Sequence, residues 1–116
     1  MYATQHEEFR PFEVHVSPGH DAVRVAPTGE VDLATAGLLK KHIETQLEQG
    51  CARLVLDLHD VSFMDSTGVR LVLELARAAQ DAQWALSVVR VPPTVHRVFE
   101  LSGVLGAIPL GDPEAG

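Results

Sequence analysis

The feature that most constrains the fold is residues 54–69, where an apolar run is followed by the start of a helical pattern. Residues 54–58 read Leu, Val, Leu, Asp, Leu, which is typical of a short strand buried on both faces, as in a parallel sheet. The helical pattern begins at Ser66, and Asp65 is a natural N-cap because its carboxylate can accept hydrogen bonds from the first free backbone N–H groups. The sequence therefore predicts a hydroxyl at a helix N-terminus, where the helix dipole favours an added anion. A plain capping Asp-Ser pair is the alternative that local sequence leaves open.

The N-terminal part of the chain predicts a β-hairpin. Residues 12–16 and 22–26 each alternate apolar with polar side chains, and the residues between them favour a turn. Pro27 and Gly29 are expected to end the second strand. The loop that follows would lead into the first helix, with Asp32 as its candidate N-cap.

From residue 33 onward the pattern predicts alternating helices and strands. An amphipathic helix over residues 33–49 should stop at Gly50, and the helix from Ser66 to about Asp81 has so wide an apolar sector that it should be the most buried one. The remaining predicted elements are a strand at 84–89, a helix at 94–101 that Pro92 and Pro93 introduce, and a last short strand at 104–110. Together they predict an α/β fold whose mixed β-sheet opens with an antiparallel hairpin and continues with parallel strands joined by crossover helices.

Length and charge narrow the possible functions. With 116 residues the chain fits one domain, which we place at residues 10–110 between flexible tails at 1–9 and 111–116. A formal net charge of -7, with only nine scattered Lys and Arg residues, disfavours direct binding of nucleic acid. The polar N-terminus contains no signal peptide or membrane span, so we expect a cytoplasmic protein without membrane insertion. Cys51 is the only cysteine, which excludes an internal disulfide.

The sequence does not predict catalysis, a cofactor or a metal site. Its six histidines fall on different elements, and neither an H-x-x-x-H pair nor paired cysteines accompany them. The chain also lacks the G-x-S-x-G elbow of hydrolases and the phosphate-binding loop of nucleotide hydrolases. We therefore expect a binding protein and not an enzyme.

Three segments resemble one known family. Residues 63–68, Phe-Met-Asp-Ser-Thr-Gly, resemble the signature of the STAS domain family of bacterial anti-sigma factor antagonists, also called anti-anti-sigma factors. Residues 28–32 with Thr35 and Ala36, and residues 93–103, match further family segments in the same order, so the resemblance covers about residues 10–110. Members commonly carry a C-terminal helix after the last strand, for which this chain has room for at most one turn.

The resemblance implies a switch at Ser66. In the family, the serine after the signature Asp is phosphorylated by a partner, an anti-sigma factor with serine-kinase activity, and a serine phosphatase restores it. The unphosphorylated form would bind the anti-sigma factor and release the sigma factor for transcription. The partner-binding residues expected on this basis are Glu30, Asp32, Asp65, Thr67, Gly68 and Arg70.

Two sets of charged residues leave alternatives open. Five acidic residues lie at the ends of successive predicted elements: Glu30, Asp32, Asp57, Asp60 and Asp65. Either each of them caps a helix or a turn, or their side chains converge near Ser66 on one acidic rim, at the edge of the sheet where the parallel strands end. Arg70 departs from the small residue that the family often has at this position. Four residues separate it from Ser66 and from Glu74, so its guanidinium could meet a phosphate on Ser66 or pair with Glu74.

Two other functions remain open at this level. The chain could be a structural STAS subunit of a larger assembly, such as a membrane transporter's accessory, or a sensor of a small ligand or nucleotide that uses the acidic rim.

Overall fold

The computed structural model describes residues 11–111, so most of the two predicted tails lies outside the described residues. The strands and helices follow one another in the order β1 (Glu13–Pro18), β2 (Val23–Val31), α1 (Ala36–Glu48), β3 (Arg53–Asp57), β4 (Val61–Met64), α2 (Ser66–Ala82), β5 (Ala85–Val89) and α3 (Pro93–Leu101). A short 3-10 helix, Leu105–Ala107, follows them.

The sheet has the mixed topology that the sequence predicts. Its main path runs β1-β2-β3-β5, and β4 pairs with β2 outside this path. The β1–β2 pair is antiparallel, whereas β3 pairs in parallel with both β2 and β5, and β4 pairs in parallel with β2. The opening hairpin and the parallel strands after it are therefore confirmed.

Strand β2 is longer than predicted, because it continues through both Pro27 and Gly29 to Val31. Its pairing with β3 ends at Val25 and its pairing with β4 begins at Gly29. Pro27 lies between the two, where the missing N–H of proline removes no ladder hydrogen bond on that side. Gly29 has a φ of +88° and adjoins a register shift between itself and Glu30, so it forms a β-bulge instead of ending the strand.

Strand β4 lies between the predicted strand at residues 54–58 and the Asp65 cap, where the sequence predicts no element. A tight turn, in which the Val61 N–H donates to the Leu58 carbonyl over 3.0 Å, directs the chain away from β3. The second half of β2 extends beyond β3, so its edge is open there. Residues 61–64 pair with that edge.

The predicted last strand at residues 104–110 is wrong, since only Leu110 forms a bridge, to Val88. The Val88 N–H donates to the Pro109 carbonyl and the Gly111 N–H donates to the Val88 carbonyl, each over 2.9 Å. Extending this parallel ladder by two residues would require an N–H on Pro109 to reach Leu86, and proline has none. The single bridge is the result.

The core lies between the sheet and its helices, and β3 is its most deeply buried strand. From Leu54 to Leu58 all five residues are buried, as predicted. Helix α2 buries six residues, against three for α1 and two for α3, which confirms the prediction from its wide apolar sector. Helix α3 begins at Pro93 as expected.

Helix α1 ends where the sequence predicts. Gly50 has a φ of +95°, and its N–H donates to the Leu47 carbonyl over 3.0 Å. The N–H of Cys51 donates to the Gln46 carbonyl over 3.1 Å. These two hydrogen bonds form a Schellman motif, which satisfies carbonyls at the end of the helix.

One buried carboxylate, that of Asp57, joins three strands of the sheet. Its side chain is 2% exposed and accepts hydrogen bonds from Arg24 Nη1 over 2.7 Å, from Arg90 Nη2 over 2.8 Å and from the His59 N–H over 3.0 Å. Burial alone would raise the pKa of Asp57, but the hydrogen bonds from Arg90, His59 and Arg24 outweigh it and hold the pKa below its usual value. Arg24 lies on β2 and Arg90 directly follows β5, so the cluster connects non-adjacent parts of the chain.

Replacing Asp57 by Asn should destabilise the domain. The change keeps the shape of the side chain but removes the negative charge to which both guanidinium groups donate hydrogen bonds. Because both arginines are partly exposed, we expect a loss of about 2–3 kcal/mol in the free energy of unfolding, below the full cost of breaking a buried pair. Urea denaturation at pH 7 measures this loss, and Asp81→Asn, on the exposed part of α2, is the matched control.

The same variant predicts a pH dependence. A carboxyl whose pKa is lowered by folding contributes stability that is fully present above its unfolded pKa, near 3.9, and is lost as the pH falls through the folded value. The stability difference between wild type and Asp57→Asn should thus be constant from about pH 5 to 7 and shrink below about pH 4. A difference that is independent of pH would contradict the role assigned to this charge.

The start of α2 lies so close to β2 that only glycine fits at position 68. A Cβ on Gly68 would lie 2.5 Å from Met64 Cγ, 3.0 Å from Val31 Cγ1 and 3.1 Å from the Val31 carbonyl oxygen. Both neighbours are buried, so the helix would have to move away from the sheet.

Gly68→Ala should consequently lower the free energy of unfolding by about 1–3 kcal/mol, the usual range for overpacking. Gly37→Ala is the matched control, because a Cβ on this α1 residue meets nothing within 4 Å. It should raise stability by about 0.5–1 kcal/mol through helix propensity. Thermal or urea unfolding of both variants tests the pair, and equal effects would refute the steric explanation.

Candidate functional site

Ser66 is exposed at the first position of α2, directly after its N-cap. The Asp65 carboxylate accepts hydrogen bonds from the Thr67 N–H over 2.9 Å and from the Gly68 N–H over 3.2 Å. The predicted cap is therefore confirmed. Within residues 11–111 the Ser66 hydroxyl has no hydrogen-bond partner, so no described contact gives it a structural role.

The β2–β4 pairing places the loop after β2 beside this serine. Val31 pairs with Met64, and the Asp65 N–H donates to the Val31 carbonyl over 3.2 Å. The two strands run in parallel and end together, so the segment from Glu30 to Thr35 and the start of α2 form one surface.

Side-chain hydrogen bonds fix the loop of residues 30–35. The Asp32 carboxylate accepts from the N–H groups of Ala34 and Thr35, over 3.0 and 3.2 Å. The Thr35 hydroxyl accepts from the Asp32 N–H over 2.9 Å and donates to the Glu30 carbonyl over 2.8 Å. Asp32 thus caps a turn that precedes the helix, and α1 begins at Ala36, not at residue 33 as predicted.

The later start of α1 exposes an apolar residue that the sequence does not single out. Leu33 is 81% exposed at the outside of the fixed turn. On the predicted helix it would have been an ordinary helical leucine. The Asp32-x-x-Thr35 spacing is the signal that could have identified the turn, because each side chain bonds the other residue's backbone.

The five acidic residues do not converge on one rim. Glu30, Asp32 and Asp65 lie at the ends of β2 and β4 beside Ser66, whereas Asp57 faces its two arginines. Asp60 lies at the opposite end of β4, where its carboxylate is 3.1 Å from His59 Nδ1. For Asp57 and Asp60 the alternative of convergence near Ser66 does not hold, because β4 separates them from that serine.

Arg70 is exposed one turn after Ser66 and does not pair with Glu74. The Glu74 carboxylate instead lies 3.9 Å from Lys40 Nζ of α1, across the groove between the two helices. Within the described part of the chain Arg70 has no ion pair. Two other residues that are predicted to bind the partner are less exposed than Arg70: Thr67 is half-buried and Gly68 is buried.

Within residues 11–111, no group of three or more His, Cys, Asp and Glu side chains is arranged to hold a metal ion. None of the helices in that range is both long and apolar enough to span a bilayer.

Known proteins resemble this chain in sequence and in structure. A family model described as "Mlab, STAS domain" matches residues 14–110. The chain is 34% identical over 84 residues to the putative anti-sigma factor antagonist BtrV of Bordetella bronchiseptica. The aligned residues make up 72% of each protein.

Two solved structures share the fold. An anti-sigma factor antagonist from Mycobacterium paratuberculosis superposes with a TM-score of 0.75 at 25% identity, covering 90% of this chain and 88% of that chain. The Bacillus cell fate determinant SpoIIAA in its phosphorylated form superposes with a TM-score of 0.65 at 26% identity, covering 90% and 94%. With a family model over residues 14–110 and a curated relative that is 34% identical, the chain belongs to the STAS domain family.

Proposed function

We propose that the protein is a phosphorylation-switched anti-sigma factor antagonist with Ser66 as its switch. The observation that carries this proposal is the exposed Ser66 hydroxyl, which follows the capping Asp65 and lies beside the fixed loop of residues 30–35. The names of the relatives support it, since one is a putative anti-sigma factor antagonist and another was solved in a phosphorylated form. The protein acts by binding and is itself the substrate of the kinase and the phosphatase.

The unmodified surface around Ser66 binds the partner, an anti-sigma factor with serine-kinase activity. Glu30 and Asp32 on one loop and Asp65 on the other supply negative charge, which suits a basic surface on that partner. Leu33 supplies an exposed apolar contact between them. Binding releases the sigma factor for transcription, and this exchange takes place in the bacterial cytoplasm.

Phosphorylation changes the charge of this surface and leaves the fold intact. Because the Ser66 hydroxyl has no hydrogen-bond partner within residues 11–111, a phosphate on it displaces none of the described contacts. It adds about -1.5 to -2 charges at pH 7 next to Glu30 and Asp65. A partner shaped for a neutral hydroxyl would have to bury this added negative charge, at a cost of about 3–5 kcal/mol, or about two to four decades in affinity.

The site of modification is the first test. Incubation with ATP and each kinase-like anti-sigma factor of the source genome should place one phosphate on Ser66, as phosphopeptide mass spectrometry would show. Ser66→Ala should abolish the phosphopeptide, while Ser62→Ala, at an exposed serine of β4, should leave it unchanged. A phosphate found on Thr67 alone would refute the assignment.

The effect on binding is the second test. Calorimetry should show that Ser66→Ala binds the anti-sigma factor about as tightly as wild type, and that the phosphoprotein binds about 100-fold or more weakly. Ser66→Asp carries less charge and should fall between them. The melting temperatures should stay within a few degrees, and either a phosphoprotein that unfolds or one that binds as tightly as the unmodified form would contradict the mechanism.

A pull-down from the source organism separates this function from its rivals. Capture of a sigma-regulating kinase supports the proposal, whereas a stable complex with a transporter ATPase would support the role of an accessory subunit. Calorimetry with nucleotides tests the sensor function.

A further inference from the structure

We propose that Arg70 is the internal counter-ion of phosphorylated Ser66, so that this chain binds its own phosphate. The proposal rests on the proposed phosphorylation of Ser66 and adds to it a residue that regulates the modified state.

Two of the N–H groups that a helix N-terminus usually offers are already bonded at the start of α2. Asp65 accepts hydrogen bonds from the N–H groups of Thr67 and Gly68. A phosphate on Ser66 could use these two donors only by displacing a carboxylate that also repels it. With fewer donors open to it, the phosphate would gain from a positive charge on a nearby side chain.

Arg70 is placed to supply that charge. Residues four apart on a helix are neighbours on its surface, with Cβ atoms about 5–6 Å apart, and a guanidinium can donate two parallel hydrogen bonds to a phosphate. The competing carboxylate is Glu74, four residues further on, and it lies instead 3.9 Å from Lys40 of α1. Arg70 has no ion pair among the described residues.

The groove between α1 and α2 gives the Arg70 side chain room to turn. Its walls include Ala36 and Gly37 of α1 and Thr67 and Arg70 of α2. A Cβ built on Gly37 meets nothing within 4 Å, so the α1 side of the groove is open. The Arg70 side chain therefore borders open space and is exposed, so packing does not fix it in one orientation.

Other described cations are less well placed. Lys40 lies across the groove and is close to Glu74. Arg77, the next arginine of α2, follows Ser66 by eleven residues, which is about 16 Å along the helix. Arg77 is exposed like Arg70 and therefore provides a matched control.

The pair of Arg70 and phosphorylated Ser66 regulates the charge and the position of the phosphate. The arginine neutralises part of the phosphate charge and holds the group along α2, away from the carboxylates of Glu30 and Asp32. It favours the dianion, and so lowers the second pKa of the phosphate relative to the same site without Arg70.

The test uses full-length protein with phosphoserine incorporated at position 66 during translation, so it needs no kinase. Phosphorus NMR titration gives the second pKa of the phosphate in wild type, Arg70→Ala, Arg70→Gln and Arg77→Ala. Both Arg70 variants should raise this pKa by about 0.15–0.4 unit, and Arg77→Ala should leave it at the wild-type value. The difference should shrink as the ionic strength rises from about 0.01 to 1 M.

Equal pKa values in wild type and both Arg70 variants would overturn the proposal. So would an Arg77→Ala shift as large as that of Arg70→Ala, because the effect would then come from general charge. A kinase panel that leaves Ser66 unmodified would refute the proposed function without changing this titration, so the two failures are distinguishable.

Discussion

Parallel pairing between the second half of β2 and β4 is the constraint on which the candidate site depends. It is a short pairing, from Gly29 with Val61 to Val31 with Met64, and it contains a register shift at the glycine bulge. Both strands end at the same level, so the loop of residues 30–35 and the start of α2 meet there. Without β4, the chain would pass from β3 to α2 with no defined position relative to this loop.

The sequence predicts the local parts of this site well and its long-range parts poorly. Strand β3, the Asp65 cap and the exposed Ser66 follow from patterns within about a dozen residues, and the structure contains all three. The continuation of β2 beyond Pro27 depends on which strand lies beside it, and no local pattern contains that information. The two arginine partners of Asp57 are each 33 residues away, so no local pattern distinguishes this ion pair from a capping role for the carboxylate.

The net charge of -7 is not spread evenly over equivalent carboxylates. Asp57 is neutralised inside the domain, and Asp32 and Asp65 each satisfy backbone N–H groups that would otherwise lack partners. Asp32 and Asp65 therefore have a structural role, which a residue used only for docking would not have. Glu30 is exposed, and of its atoms only the backbone carbonyl takes part in the loop's hydrogen bonds, so its side chain is available to a partner.

Arg90 combines two requirements that favour different amino acids. Its φ of +52° places it in the left-handed region, which costs a residue with a Cβ about 1 kcal/mol and favours glycine or asparagine. Its guanidinium, however, donates to both oxygens of Asp57, which neither of those residues can do. Replacing Arg90 by a residue that suits this backbone conformation would remove one of the two positive charges that neutralise Asp57. Related sequences should therefore either retain both Arg90 and Asp57 or lack both. An alignment of related sequences would show this as covariation of the two positions.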